Sequence, residues 1–157
     1  MTRINTVDVA VLAQRHLVAE YKEFTQFLHL IKRRVDNKTG FIDVPKQYTL
    51  NAGHCKFFYN KGSYMETRFT QLYNEMIKRN IKVDQDGYKT RLQKIKTIYG
   101  LKHHLNRDFT PSTNDKLLNI NRMITRINEK PNLYASEELN RYVDLRTQLI
   151  SKVQNEK

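Results

Sequence analysis

The chain has 157 residues, and its 28 Lys and Arg against 16 Asp and Glu give a formal charge of +12. That length suits one domain burying roughly 70% of its unfolded surface, and the single cysteine, Cys55, excludes an intramolecular disulfide and a cysteine-cluster metal site. No apolar run approaches bilayer-spanning length and no charged-then-apolar leader opens the chain, so a soluble, cytoplasmic protein is expected. The positive charge is spread along the sequence instead of clustering beside one amphipathic anchor, which favours nucleic acid over a membrane as polyanionic partner.

From about Asp8 to Val35 the apolar residues Ala13, Leu17, Phe24, Leu28, Ile31 and Val35 recur at three- and four-residue steps, predicting one long amphipathic helix. At about 100° per residue, Arg15, Lys22, His29 and Arg33 form a basic stripe on the opposite side. Glu23 falls between stripe and apolar face, flanked by His16, Glu20 and Phe27; this fits a carboxylate at the edge of a partly desolvated cleft or an ordinary surface glutamate. Asp36 to Gly40 reads as the helix stop and turn. Phe41 to Leu50, broken by Pro45, is expected to be an irregular connector. The small residues Asn51, Ala52 and Gly53 then lead to His54 and the aromatic run Phe57, Phe58 and Tyr59, expected in the core. A histidine in such company is more often structural than catalytic.

A second amphipathic helix is predicted over Gly62 to Asn80, with Tyr64, Phe69, Leu72, Tyr73, Met76 and Ile77 facing the first. Tyr88 to His104 is basic, helix-compatible and weakly patterned. Adjacent His103 and His104 lack ligand spacing, so no metal site is expected. Beyond Pro111, Ser112 or Thr113 can cap a third helix reaching about Asn128. Leu117, Leu118, Ile120, Ile124 and Ile127 are its expected buried side. Arg122 and Arg126 stand one turn apart on what reads as an exposed side, a spacing that suits phosphates and equally suits a solvated face. Pro131 ends this helix, and Ser136 to about Val153 forms another. The expected fold is all-α: a compact single domain of three main helices with long irregular connectors, residues 1–134, and an extra C-terminal helix, 135–157, packed on the same domain.

The N-terminus is either an unconstrained chain end or a nucleophile. Methionine is generally removed before a small residue, which would free the α-amine of Thr2. Its pKa of about 7.7–8.0, against roughly 10.4 for lysine, leaves a useful neutral fraction near pH 7.

The ordered set Met1-Thr2-Arg3-Ile4-Asn5, His16-Leu17, Ala19 to Glu23, Ala52-Gly53-His54, Phe57-Phe58-Tyr59, Lys61, Asp108-Phe109, Pro111, Arg122, Arg126, Lys130-Pro131 and Tyr134 resembles the phage-type pyrimidine-dimer DNA glycosylase and abasic-site lyase family, endonuclease V. The resemblance implies catalysis by the Thr2 amine with Glu23 as the essential carboxylate. It implies phosphate contacts at Arg3, Lys22, Arg122 and Arg126, with Gln26 and Lys130 as further DNA-binding positions and Asn5, His16, Glu20, Tyr21 and His54 as candidate supporting residues. It also implies a monomer that acts on double-stranded DNA containing damaged pyrimidines or abasic sites, without metal or organic cofactor. The chain departs from the family at Gln26 and Lys22, where arginine is usual. It departs again in the C-terminal aromatic patch, reduced to Asn132-Leu133-Tyr134. A glycosylase for another modified base, or a non-catalytic DNA-binding protein of the same fold, fits the same residues.

Overall fold

The computed structural model describes residues 4–36, 43–50, 52–100 and 104–155. These form six α-helices joined by turns and three short 3-10 segments; the only β-type pairing among them is an isolated bridge between Lys61 and Asn106. The all-α expectation holds.

The first helix, α1 (Gln14–Asp36), starts later than its apolar pattern implies. Asp8 accepts the Ala10 N–H at 2.9 Å and caps a 3-10 turn over Val9–Val11. Leu12 is then extended, with ψ 132°. A short carboxylate that can satisfy nearby amides favours such a turn over a helix interior. The α1 start is fixed from elsewhere: Ala13 N–H donates to the Tyr142 hydroxyl at 2.7 Å and Gln14 N–H to the Glu138 carboxylate at 2.8 Å. Leu17, Phe24, Leu28 and Ile31 are buried as their spacing requires. The helix ends at Asp36; residues 37–42 of the expected turn and connector lie outside the described residues.

Gly53 takes the left-handed φ of 103°, open to glycine at little cost, and starts the one-turn helix α2 (His54–Phe57). Phe57, Phe58 and Tyr59 are all buried, with Phe57 and Phe58 packing edge-on against Tyr48 and Phe109. Helix α3 (Gly62–Lys78) begins at a glycine for a steric reason: a Cβ at Gly62 would collide with the Tyr99 ring. It stops at Asn80, which adopts φ 56°. Its Phe69 ring lies 5.1 Å from Tyr21 and 5.0 Å from Phe24, so α3 packs on α1 as expected. Ile77, assigned to that apolar face, is instead 50% exposed.

The weakly patterned segment is a helix, α4 (Gln85–Gly100), so less of the chain is irregular than expected. Only Ile95 and Tyr99 are buried along it, which explains the faint periodicity. Helix α5 (Thr113–Glu129) opens with a capping box: Ser112 Oγ accepts the Asp115 N–H while the Asp115 carboxylate accepts the Ser112 N–H. Ile120, Met123, Ile124 and Ile127 form its buried stripe, whereas Leu118, expected inside, is 44% exposed. Helix α6 (Ser136–Asn155) buries Tyr142 and Leu149.

Backbone contacts divide the chain into two compact units. One takes Ile4 and Leu17–Phe109; the other takes Asn5–His16 and the chain from Thr110 onward. Among the described residues no helix is long and apolar enough to cross a membrane.

Candidate functional site

On α1, within the first unit, the sequence places charged groups on two sides of one helix. Lys22 and Gln26 are exposed, as are His29 and Arg33 of the basic stripe. Glu23 is half-buried, between that exposed side and the buried Glu20 and Phe27. Glu20 is fully buried. Its two carboxylate oxygens accept from Arg68 Nε at 2.8 Å and Nη2 at 3.0 Å, a bidentate pair whose donor is also buried. Tyr21 stacks on Phe69, has the Arg91 guanidinium 4.9 Å from its ring centre, and has its hydroxyl pKa raised by burial. Glu20 and Tyr21 therefore face inward, toward Arg68, Phe69 and Arg91. A cavity of about 440 Å³ lined by Leu28, Lys32, Arg91 and Lys94 borders the same helix. At about 100° per residue Lys32 lies roughly opposite Glu23, so this cavity is not the cleft of that carboxylate.

Thr2 and Arg3 lie outside the described residues. Two residues beyond Thr2 the chain is held firmly. Ile4 N–H donates to His54 Nε2 at 3.0 Å, and the Tyr48 hydroxyl donates to Ile4 O at 3.3 Å. His54 Nδ1 sits 2.7 Å from Thr49 O, an acceptor, so Nδ1 carries the ring proton and Nε2 presents its lone pair to Ile4.

The second unit contains the other candidates. Asn5 is buried, its side-chain oxygen accepting from Asn119 Nδ2 at 2.9 Å. Thr6 follows, donating its N–H to Asn119 Oδ1 at 3.0 Å and its hydroxyl to Asp115 O at 3.1 Å. Arg122 and Arg126 share a face of α5 but are half-buried, against the expectation of an exposed side. Arg122 Nε is sealed from solvent with no hydrogen-bond partner among the described residues. A buried donor without an acceptor costs about 1–3 kcal/mol. Lys130 is exposed at the end of α5.

His16 is enclosed by two tyrosines, with Nδ1 2.8 Å from the Tyr142 hydroxyl and Nε2 3.1 Å from that of Tyr134. Tyr142 accepts from Ala13 N–H and can give its own proton to Nδ1, leaving Nε2–H for Tyr134. Burial pushes the imidazole pKa down to about 4, outweighing the nearby Glu138 carboxylate that raises it. Both ring nitrogens are thus committed to a neutral structural network. Among the described residues no group of His, Cys, Asp and Glu is arranged to hold a metal; His104 is exposed and His103 lies outside them.

Sequence reasoning missed Arg68, Tyr48 and Asn119. Arg68 carried a signal: it is a charge inside the apolar stripe of α3, one turn from Tyr64 and next to Phe69. Tyr48, in a connector without periodicity, carried none.

The sequence model of one family, pyrimidine dimer DNA glycosylase, matches residues 1–89. The match takes in α1, α2, α3 and the first turn of α4, and with them Glu23, His54 and the N-terminal segment; Arg122, Arg126 and α6 lie beyond it. Since it covers more than half of the 157 residues, the chain belongs to the pyrimidine dimer DNA glycosylase family.

Proposed function

We propose that this glycosylase breaks the glycosidic bond of one pyrimidine of a UV-induced cyclobutane dimer through an imine on its own N-terminus, then cleaves the strand at the abasic site. With Met1 removed, the neutral Thr2 amine attacks the sugar C1′. The glycosidic C–N bond breaks and its electron pair leaves with the base. The amine nitrogen loses its protons as the sugar ring opens, giving an imine between enzyme and DNA. Loss of a C2′ proton then expels the 3′ phosphate by β-elimination, and water releases the enzyme. The chemistry draws on no metal or organic cofactor. Duplex kinking and extrusion of a nucleotide give access, and a lesion that already weakens stacking is the least costly target.

The observation that carries this reading is the half-buried Glu23 on a helix whose exposed side is basic, in a chain of this family. A partly desolvated carboxylate stabilises positive charge developing on the sugar and imine more strongly than a fully solvated one, and it can relay protons during ring opening. Arg3, Lys22, Gln26, Arg122, Arg126 and Lys130 are the proposed DNA contacts, and the enzyme acts as a monomer on duplexes carrying dimers or abasic sites. Borohydride reduction should trap a covalent protein–DNA adduct with both duplexes. Failure of the processed protein to form adduct with either would leave a DNA-binding protein without this chemistry; adduct with the abasic duplex alone would point to another base lesion.

A further inference from the structure

We infer that His54 and Tyr48 form a clamp that sets the position of the terminal nucleophile, with His54 the main positioning residue; this rests on the imine reading above. The clamp engages both polar groups of Ile4: His54 Nε2 accepts its N–H at 3.0 Å and the Tyr48 hydroxyl donates to its carbonyl at 3.3 Å. Buried backbone groups are ordinarily paired with other backbone in helices or sheets. Here side chains take that task, so the local chain direction depends on two residues more than forty positions away in sequence.

The clamp is built to be rigid. Gly53, at φ 103°, turns the chain so that His54 opens α2. The Thr49 carbonyl, 2.7 Å from Nδ1, fixes the tautomer that makes Nε2 an acceptor. Tyr48 and Phe58 hold the imidazole edge-on, with ring centres 5.6 and 5.4 Å away, and His54 is only 3% exposed. Ile4 is itself 3% exposed, which fixes its side chain as well.

Thr2 is two residues upstream of this fixed point, and covalent geometry keeps its nitrogen within about 7 Å of the Ile4 nitrogen. A nucleophile on a two-residue tether can reach only what its anchor brings within that radius. Misplacing a reacting group by about 1 Å can cost on the order of 100-fold in rate while leaving ground-state binding alone. The role of His54 is thus exerted on the chemical step through the backbone, without contact with DNA.

The test compares His54→Ala, His54→Gln and Tyr48→Phe with the parent protein on an abasic duplex, measuring single-turnover borohydride trapping at saturating protein, duplex affinity and thermal unfolding. His54→Ala should slow trapping about tenfold or more with affinity within about threefold. His54→Gln, whose amide oxygen can accept the Ile4 N–H, should recover most of the rate. Tyr48→Phe keeps the ring, loses only the donor, and should slow trapping about threefold. Trapping by His54→Ala at the parent rate, or a slowing matched by an equal loss of affinity, overturns the inference. If His54→Ala fails to fold, Tyr48→Phe decides, and an unchanged rate there overturns it. A parent protein that traps nothing defeats the imine reading itself, whereas a parent that traps beside an unaffected His54→Ala defeats only the clamp.

Discussion

Glu20 and Glu23 sit one turn apart on α1 and have opposite surroundings. Glu20 is fully buried and gripped by both arms of Arg68; Glu23 is half-buried beside exposed Lys22 and Gln26. The two carboxylates are chemically alike, so the difference comes from what the fold packs against each side of the helix. The inner one is committed to joining α1 and α3, and it gains a fixed geometry by giving up access. The outer one keeps access to solvent.

This contrast can be broken from either side. The largest effect should come from Arg68→Ala, which takes two charge-assisted hydrogen bonds from the buried Glu20 carboxylate: a loss of about 3–5 kcal/mol of folding stability by urea denaturation, with the trapping rate of the remaining folded protein unchanged. Glu23→Gln should show the reverse. Single-turnover cleavage should fall about 100-fold, close to 2.7 kcal/mol in the barrier, with stability within about 0.5 kcal/mol and DNA affinity nearly intact. Unchanged cleavage would remove Glu23 from the mechanism.

His16, one turn before Glu20, extends the comparison to a buried group that is kept neutral. Its folded pKa is lowered to about 4 from the ordinary 6.5. Between these values the unfolded chain binds the proton that the folded chain refuses. Its contribution is therefore complete above pH 6.5 and lost as pH falls toward 4, on the order of 2 kcal/mol after allowing for partial solvent access. Denaturation at pH 7, 5.5 and 4 should show this decline in the parent protein and a flatter profile in His16→Gln. The smallest effect belongs to Arg122→Ala, which should reduce the slope of log affinity against log salt by about 0.9, for one phosphate contact. An unchanged slope would make Arg122 a purely structural cation.

Where local chemistry decides structure, the sequence was readable: Ser112, one of the two cap candidates, caps α5, and the apolar steps of α3 and α6 place those helices. Where distant packing decides, it was not. Asp8 looked like a helix start and instead caps a 3-10 turn, because the amides at the true start of α1 are satisfied from α6. Ile77 and Leu118 have the right periodicity but stay 50% and 44% exposed, since apolar spacing defines a face and cannot say how wide its partner is. Of the candidate site, the exposure of Lys22 and the flank position of Glu23 follow from helical geometry alone. The Ile4 anchor does not, because His54 and Tyr48 reach it through tertiary structure with no periodic signature.

The opening turn of α1 is finished by α6. Glu138 accepts from Gln14 N–H and from Ala135 N–H, while Tyr142 accepts from Ala13 N–H. An anionic acceptor at a helix N-terminus also answers the positive end of its dipole. The family-matched region, 1–89, thus draws the cap of its leading helix from a segment more than forty residues beyond its own end. A protein trimmed to that region would lose no residue of α1 and still leave two of its first amides unanswered, so the shortest active form of this enzyme should extend through at least Tyr142.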